Sequence, residues 1–231
     1  MKIPLSKRLR LCCDYVAKGD RVADVGTDHG YLGLWLLQQG IARHVIASDI
    51  VPGPLSAAKN NAEKYGFTEQ MSFYLSDGVQ NIPHDFDTLV CAGMGGDTMI
   101  SILEQGNWLR DDRYRLILQC QSKTPLLRRY LSEHGFHIRQ EKLVRDGKFI
   151  YSAMEVVFEP GHNLTPGQWY FPPALRRQPS ELLSEYFHRV MEGLRQAAAH
   201  RPDSELTVIL AELDSDPDLQ WIKEAYNGNC Q

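Results

Sequence analysis

The sequence predicts an α/β protein: a mainly parallel sheet with helices on both faces, closed by an antiparallel hairpin and followed by a small helical unit. Three observations carry this. Between residues 20 and 158, short β-branched apolar runs alternate with longer stretches of helical period, the pattern of βαβ units on a parallel sheet. The last two runs flank Arg145-Asp146-Gly147-Lys148, and Asp-Gly between apolar runs signals a hairpin. Beyond residue 179 the apolar residues recur at helical spacing.

Taken in order, the expected strands are Arg21 to Val25, His44 to Asp49, Met71 to Ser76, Thr88 to Ala92 and Arg115 to Cys120. The expected helices are Gly30 to Gln39, Pro54 to Tyr65, Asp97 to Gln105 and Pro125 to His134, two of them followed by Gly40 and Gly135 as left-handed C-terminal caps. The hairpin strands are His137 to Val144 and Phe149 to Phe158. Five parallel strands followed by an antiparallel hairpin is the order of the Rossmann-like class I methyltransferase sheet, and ordinary dinucleotide dehydrogenases do not end that way. Residues 159–179 carry five prolines and two glycines and read as a linker or an ordered extended segment. Leu182, Leu183, Tyr186, Phe187, Val190, Met191 and Leu194 then form one helical stripe, Leu206, Ile209, Leu210 and Leu213 a second, with Arg201-Pro202-Asp203-Ser204 as the turn of a helical hairpin. The division expected is 1–158 for the sheet domain and 159–231 for the linker and helical, coiled-coil-like domain.

The composition limits the function classes. With 231 residues, 43% hydrophobic and 23% charged, the chain has the make-up of an ordinary globular protein. No apolar run approaches the roughly 20 residues of a membrane-spanning helix, and Met1 to Arg8 lacks the apolar core of a signal peptide. The five cysteines include no Cys-x-x-Cys, which points to reduced thiols and a cytoplasmic location. The net charge is −4, but it is uneven: ten basic residues against five acidic between Arg110 and Lys148, and four against ten from Ser180 onward. A negative total can therefore hide a basic face able to hold phosphates.

The chemistry begins at Val22-Ala23-Asp24-Val25-Gly26-Thr27-Asp28-His29-Gly30. Gly26 lets the backbone turn off the first strand, and Gly30 opens the next helix with its free N–H groups facing a ligand. A dinucleotide fingerprint would place a pyrophosphate against the glycines. Here Asp24 precedes the first glycine, and Asp28 stands in the loop where the pyrophosphate would sit. Carboxylates there repel phosphate and suit the ammonium and sulfonium of S-adenosylmethionine, with Thr27 and His29 completing the loop. Asp49 and Ile50 close the second strand, where a carboxylate can accept from both ribose hydroxyls. Asp77-Gly78 follows the third strand, as a contact to adenine or as a common Asp-Gly turn. Ala92-Gly93-Met94-Gly95-Gly96 follows the fourth, where glycines let a flat base approach the backbone and Met94 can pack against it. All four motifs lie at carboxyl ends of strands, where ligands of this architecture bind. His134-x-x-His137 has no further ligand at metal-site spacing, and no Gly-x-Ser-x-Gly is present for serine catalysis, so no metal and no acyl-enzyme is expected.

These runs, together with Leu5-Ser6-Lys7-Arg8-Leu9, Leu116-Ile117-Leu118-Gln119 and Lys148-Phe149-Ile150-Tyr151, resemble the bacterial tRNA (adenine-22-N1)-methyltransferase family over most of the chain. The loop reads Thr-Asp-His-Gly-Tyr where Ser-Asp-His-Ala-Tyr is common, Cys120-Gln121 replaces the usual Pro-Asn, and the C-terminal hairpin is acidic. The resemblance implies S-adenosylmethionine as cofactor, tRNA as partner, and direct methyl transfer to N1 of an adenine. Asp28 is then the group that stabilises the charge developing on the ring, with Met94 and Gln119 beside the reacting base. N1 lies on the Watson–Crick edge, so the nucleotide must be flipped or unpaired. Tyr31 and Tyr151 are the residues expected to stack on it, and Lys7, Arg8, Arg10, Arg128 and Arg129 those expected to hold the RNA backbone, with steep salt dependence. Two alternatives remain at this point: methylation of a small molecule or protein, and a non-catalytic cofactor- or RNA-binding module.

Overall fold

A computed structural model describes residues 2–177, 180–200 and 204–227. Its strands are β1 (Arg21–Val25), β2 (His44–Asp49), β3 (Met71–Leu75), β4 (Thr88–Gly95), β5 (Arg115–Ser122), β6 (Phe136–Asp146) and β7 (Phe149–Phe158). They form one sheet in the order β3-β2-β1-β4-β5-β7-β6. The first five pair in parallel, and β7 runs antiparallel to both β5 and β6. The parallel sheet and closing hairpin expected from the sequence are both present. The hairpin strands pair Asp146 with Phe149, so the two turn residues are Gly147 and Lys148 rather than Asp146 and Gly147. Gly147 takes φ 61°, the positive φ that a type II′ turn needs at its first central position.

The central strands are buried on both faces because helices cover both. On one side α1 (Lys7–Cys13), α2 (Tyr31–Gln38) and α3 (Pro52–Tyr65) enclose a core containing Leu34, Leu36, Val45, Val90 and Ile117. On the other, α4 (Gly96–Gln105) and α5 (Thr124–Glu133) cover Leu89, Met99, Leu116 and Leu127. Helix α2 lies close against β2 because Gly33 faces it: a Cβ there would stand 2.7 Å from Val45 Cγ1, so any side chain would push the helix off the sheet. The helix α1 was not anticipated. Its signal was Ser6, whose hydroxyl accepts from the Leu9 N–H as an N-cap.

Residues 159–177 are less extended than expected and contain two short helices, α6 (Pro166–Tyr170) and α7 (Pro173–Arg176). The two long C-terminal helices are α8 (Glu181–His200) and α9 (Ser204–Ser215), and a third, α10 (Gln220–Asn227), joins them. They share a separate core of Phe171, Leu183, Phe187, Met191, Ile209 and Ile222, among others. Of the expected turn at Arg201 to Ser204, residues 201–203 lie outside the described residues, as does Cys230, and Ser204 opens α9. No described helix is long and apolar enough to cross a membrane. Cys12, Cys13, Cys91 and Cys120 are free and buried.

Candidate functional site

The topology reverses between β1 and β4, since β1 leads outward to β2 and β4 to β5. A crevice opens at that point beyond the carboxyl ends of the strands, as the doubly wound arrangement requires. It is a cleft of about 380 Å³, within the range of small-molecule sites. Its walls come from three places: Asp24 at the end of β1 with Gly26, Thr27, Asp28 and His29 after it; Asp49, the last residue of β2; and Ala92, Gly93 and Met94 from the end of β4. Tyr31 and Leu32 of α2 and Arg8 and Leu9 of α1 complete them.

The first loop is held by its own backbone and by β2. The N–H groups of Gly26 and Thr27 both donate to the Ser48 carbonyl at 2.9 Å. Gly26 adopts φ 72°, and a Cβ there would collide with Met94 Cε at 2.1 Å, so the glycine is needed both for the turn and for the approach of the β4 end. Asp28 also has positive φ, 53°, a conformation that Asp tolerates better than most residues. This turns its carboxylate outward, 71% exposed, with His29 Nε2 3.6 Å away. The Asp28 N–H donates to Asp49 Oδ2 at 3.2 Å and the Val51 N–H to Asp49 Oδ1 at 2.9 Å, which fixes that carboxylate at the mouth.

Asp24 is buried at the floor, where Thr27 Oγ1 donates to it at 2.7 Å. Burial pushes its carboxyl up to about 6, against the opposing effect of the Thr27 bond and with the nearby Asp49 and Asp28 charges adding to the rise. A buried carboxylate with two others nearby is stabilised by any cation that enters.

The sheet itself opens at the acceptor side. Strand β4 continues through Gly95 rather than ending at Ala92, with register shifts against β5 at Ala92/Met94 and Met94/Gly95. Such irregularities re-aim side chains beside sites. Met94 thereby reaches Gly26 and also meets Cys91 Sγ at 3.4 Å. Gln121, where the resembled family has Asn, brings Nε2 within 3.6 Å of an ideal Cβ on Gly93, so an amide is retained at this rim.

Gly30, Ile50, Asp77, Gly78 and Gly95 lie next to the cleft's elements but outside its lining. Gly30 caps α2, Gly95 caps α4, Ile50 is exposed after Asp49, and Ser76 Oγ bonds to the Gly78 carbonyl.

Three expectations need correction. Gln119 does not face a reacting base. It is wholly buried, accepting from Arg8 Nη1 at 3.0 Å while its own amide donates to the Cys120 carbonyl at 3.1 Å. Arg8 is not on an outer phosphate-binding face; it lies inside the cleft wall, its guanidinium 5.9 Å from the centre of the Tyr151 ring, so Tyr151 backs Arg8. Arg128 is also wholly buried, bonded to Glu141 at 2.6 and 3.1 Å and to the carbonyls of Trp169 and Tyr170 at 2.9 Å. It cannot reach a phosphate without breaking a desolvated ion pair.

The broader basic face is also largely absorbed. Arg115 pairs with Asp20 and Glu155, Arg129 with Glu133 and Glu205, Arg139 with Glu159, and Arg145 with Glu185. Lys7 and Arg10 remain exposed on α1, Arg10 with its guanidinium 5.4 Å from the Trp35 ring.

Elsewhere, His137, Glu159 and His162 bring three possible ligand atoms within 4.8 Å of one another. The two rings are parallel, 3.7 Å apart, so their in-plane lone pairs cannot converge on one ion at the roughly 2.1 Å of a Zn–N bond. The trio is a hydrogen-bonded network, and its bonds to Glu159, that of His137 foremost, hold this carboxyl below its usual range.

The methyltransferase-domain family model matches residues 5–154. The tRNA (adenine(22)-N(1))-methyltransferase of Bacillus subtilis is 34% identical over 149 residues, 64% of this chain and 63% of that protein. A Mycoplasma pneumoniae "putative tRNA methyltransferase" is 37% identical over 137 residues, 58% and 61% of the two chains. The chain thus spans about three fifths of the length of these curated relatives. A Streptococcus pneumoniae "putative tRNA (m1A22) methyltransferase", solved with S-adenosyl-L-methionine, superposes with a TM-score of 0.80 at 30% identity, covering 96% of this chain and 99% of that one. The chain therefore belongs to the methyltransferase-domain family and, within it, to the family of bacterial tRNA (adenine-22-N1)-methyltransferases.

Proposed function

We propose that this protein is a cytoplasmic enzyme that transfers a methyl group from S-adenosylmethionine to N1 of an adenine in tRNA, with adenine 22 as the target. The observation that carries the proposal is the cleft at the sheet's switch point, where the carboxylates of Asp24, Asp28 and Asp49 meet the open end of β4. That set of carboxylate acceptors fits a cofactor with an ammonium, a sulfonium and a ribose diol. It does not fit a pyrophosphate.

S-adenosylmethionine supplies an electrophilic methyl: the N1 lone pair forms the new N–C bond as the S–C bond breaks and its electron pair stays on sulfur. The protein's contribution is orientation, which alone lowers such a barrier substantially. Asp49, its oxygens already aimed by the Asp28 and Val51 N–H groups, takes the ribose hydroxyls. Asp24 sits below as a buried counter-charge. Met94, pressed between Gly26 and Cys91, gives the base an apolar surface, and Tyr31 stands on the opposite wall. Asp28 is the exposed carboxylate at the mouth, able to stabilise the cationic ring that N1 methylation produces. Within this reading, residues 1–158 form the catalytic domain, and residues 159–231 form a helical domain beside it. Lys7 and Arg10, at the cleft's α1 side, contact the RNA backbone.

The test is incubation of the protein with labelled cofactor and unmodified tRNA transcripts, followed by nuclease digestion and mass spectrometry. One methyl on adenine N1, lost in a transcript with guanine at position 22, is the expected result. Label that enters protein or small molecules and no tRNA overturns the reading.

A further inference from the structure

The β6–β7 hairpin ends on the side of the molecule where the cleft opens. Because β7 is antiparallel to both β5 and β6, β6 runs parallel to β5, and its last residue, Asp146, lies towards the carboxyl ends of the parallel strands. Strand β7 pairs with β5 only as far as Met154 with Leu118, and residues 149–153 pair with β6 alone. The tip of Gly147, Lys148 and Phe149 therefore stands clear of β5. We infer that this tip is a nucleotide-stacking arm: Phe149 stacks on the base next to the flipped adenine, and Lys148 holds a phosphate beside it. The inference rests on the tRNA reading of the cleft and adds the surface that receives the flanking nucleotide.

Among the described residues, Phe149 is the only exposed Phe, Tyr or Trp, at 53%. A lone exposed apolar side chain is ordinary; this one comes with a cation and a path to the cleft. Lys148 Nζ lies 5.3 Å from the centre of the Phe149 ring and pairs with no acid among the described residues, whereas Arg115, Arg129, Arg139 and Arg145 of the same stretch all do. Alternate residues of a strand share a face, so Phe149 and Tyr151 point the same way, their rings 6.0 Å apart. Tyr151 in turn lies 5.9 Å from the guanidinium of Arg8, which lines the cleft. One ring and one guanidinium thus connect the tip to the cleft. The root of the tip is tied on two sides: Asp146 Oδ2 accepts from the Arg8 N–H at 3.4 Å, and Arg145 pairs with Glu185 of α8. An arm held in this way loses little freedom when it binds. An adenine swung out to present N1 leaves its neighbour without a stacking partner. An aromatic face replaces that partner whatever the base, and an adjacent ammonium neutralises the phosphate.

The experiment measures methylation of tRNA transcripts, cofactor affinity by calorimetry and tRNA affinity against salt, for wild type and tip variants. Phe149→Ala is expected to lower kcat/KM for tRNA about tenfold, the scale of one base–aromatic stack, with cofactor affinity unchanged, and Phe149→Trp should restore it. Transcripts with an abasic residue 5′ or 3′ of the methylated adenine locate the contact. One of the two should cost wild type the same factor and cost Phe149→Ala nothing further, the non-additivity of a direct contact. Lys148→Ala should lower the salt slope of tRNA binding by about one. Additive losses at both abasic positions, or wild-type kcat/KM in Phe149→Ala, overturn the arm. So does a fall in cofactor affinity as large as the fall in kcat/KM, since the tip would then support the cleft. A wild type that dimerises in the ultracentrifuge through Phe149, with tRNA kinetics untouched by its loss, overturns the arm in favour of a second copy of the chain. A wild type that binds the cofactor and methylates no tRNA fails the tRNA reading itself, and the arm falls with it.

Discussion

The cleft and the basic stretch from Arg110 to Lys148 offered equally plain signals in the sequence, and the structure treats them differently. In the cleft, Asp24, Gly26, Thr27, Asp28 and Asp49 meet on one wall, as their places at consecutive strand ends imply. In the basic stretch, acids from outside it (Asp20, Glu155, Glu159, Glu185 and Glu205) pair with its arginines. A strand-end loop has its conformation set by its own few residues and one neighbour, so its motif survives folding. A charge sum has no such protection, because any distant acid can cancel it.

The sharpest way to break this comparison is at Arg128. If it belongs to the fold rather than to RNA, Arg128→Met should cost about 3–5 kcal/mol of stability, because Glu141 is left buried without its partner. In urea titration the midpoint should fall, while the salt dependence of tRNA binding by the folded variant should match wild type. A reduced salt slope would return Arg128 to the RNA face.

Asp28 tests the other side. Asn tolerates the same positive φ, so Asp28→Asn should retain cofactor affinity and the fold while turnover falls about a hundredfold, the scale of one lost electrostatic or proton-transfer contact. Unchanged turnover would leave Asp28 as loop structure only.

At Asp24 the sign of the pH effect is fixed by its raised carboxyl, about 6 against 3.8 unfolded. The folded protein holds this proton more tightly than the unfolded chain, so Asp24's contribution is most favourable when protonated and declines as pH rises through about 6. Asp24→Asn should therefore stabilise the free protein at neutral pH by about 1–3 kcal/mol while weakening the cofactor. Wild-type affinity for the cationic cofactor should fall as pH drops below about 6. A thermal melt and a pH series of titrations check both halves.

The smallest effect belongs to the exposed cations. Lys7→Ala should weaken tRNA binding a few-fold at most and lower the salt slope by about one. No change in slope would remove α1 from the RNA surface.

Much of the fold was legible because its signals are periodic and local. Five strands, four helices and the hairpin follow from alternating patterns, and the strand-end acids follow from position. The ends of β4 were not legible: Gly93 reads as a strand breaker, yet pairing with β5 resumes at Met94 through a bulge. Helix α1 has only seven residues and one capping serine, Ser6, as its signal, too little to place Arg8 from the sequence. The linker's proline content hid two short helices and a fully buried Phe171.

What the sequence determined by itself was the α/β architecture and the loop of carboxylates at its strand ends, because each is written in residues near one another along the chain. What only the tertiary structure decided was the fate of each charge. Arg8 and Gln119 meet across 111 residues of chain, and Arg128 and Glu141 across 13. A guanidinium's role depends on whether water, an acid or an open cleft surrounds it, and that surrounding exists only once the chain has folded.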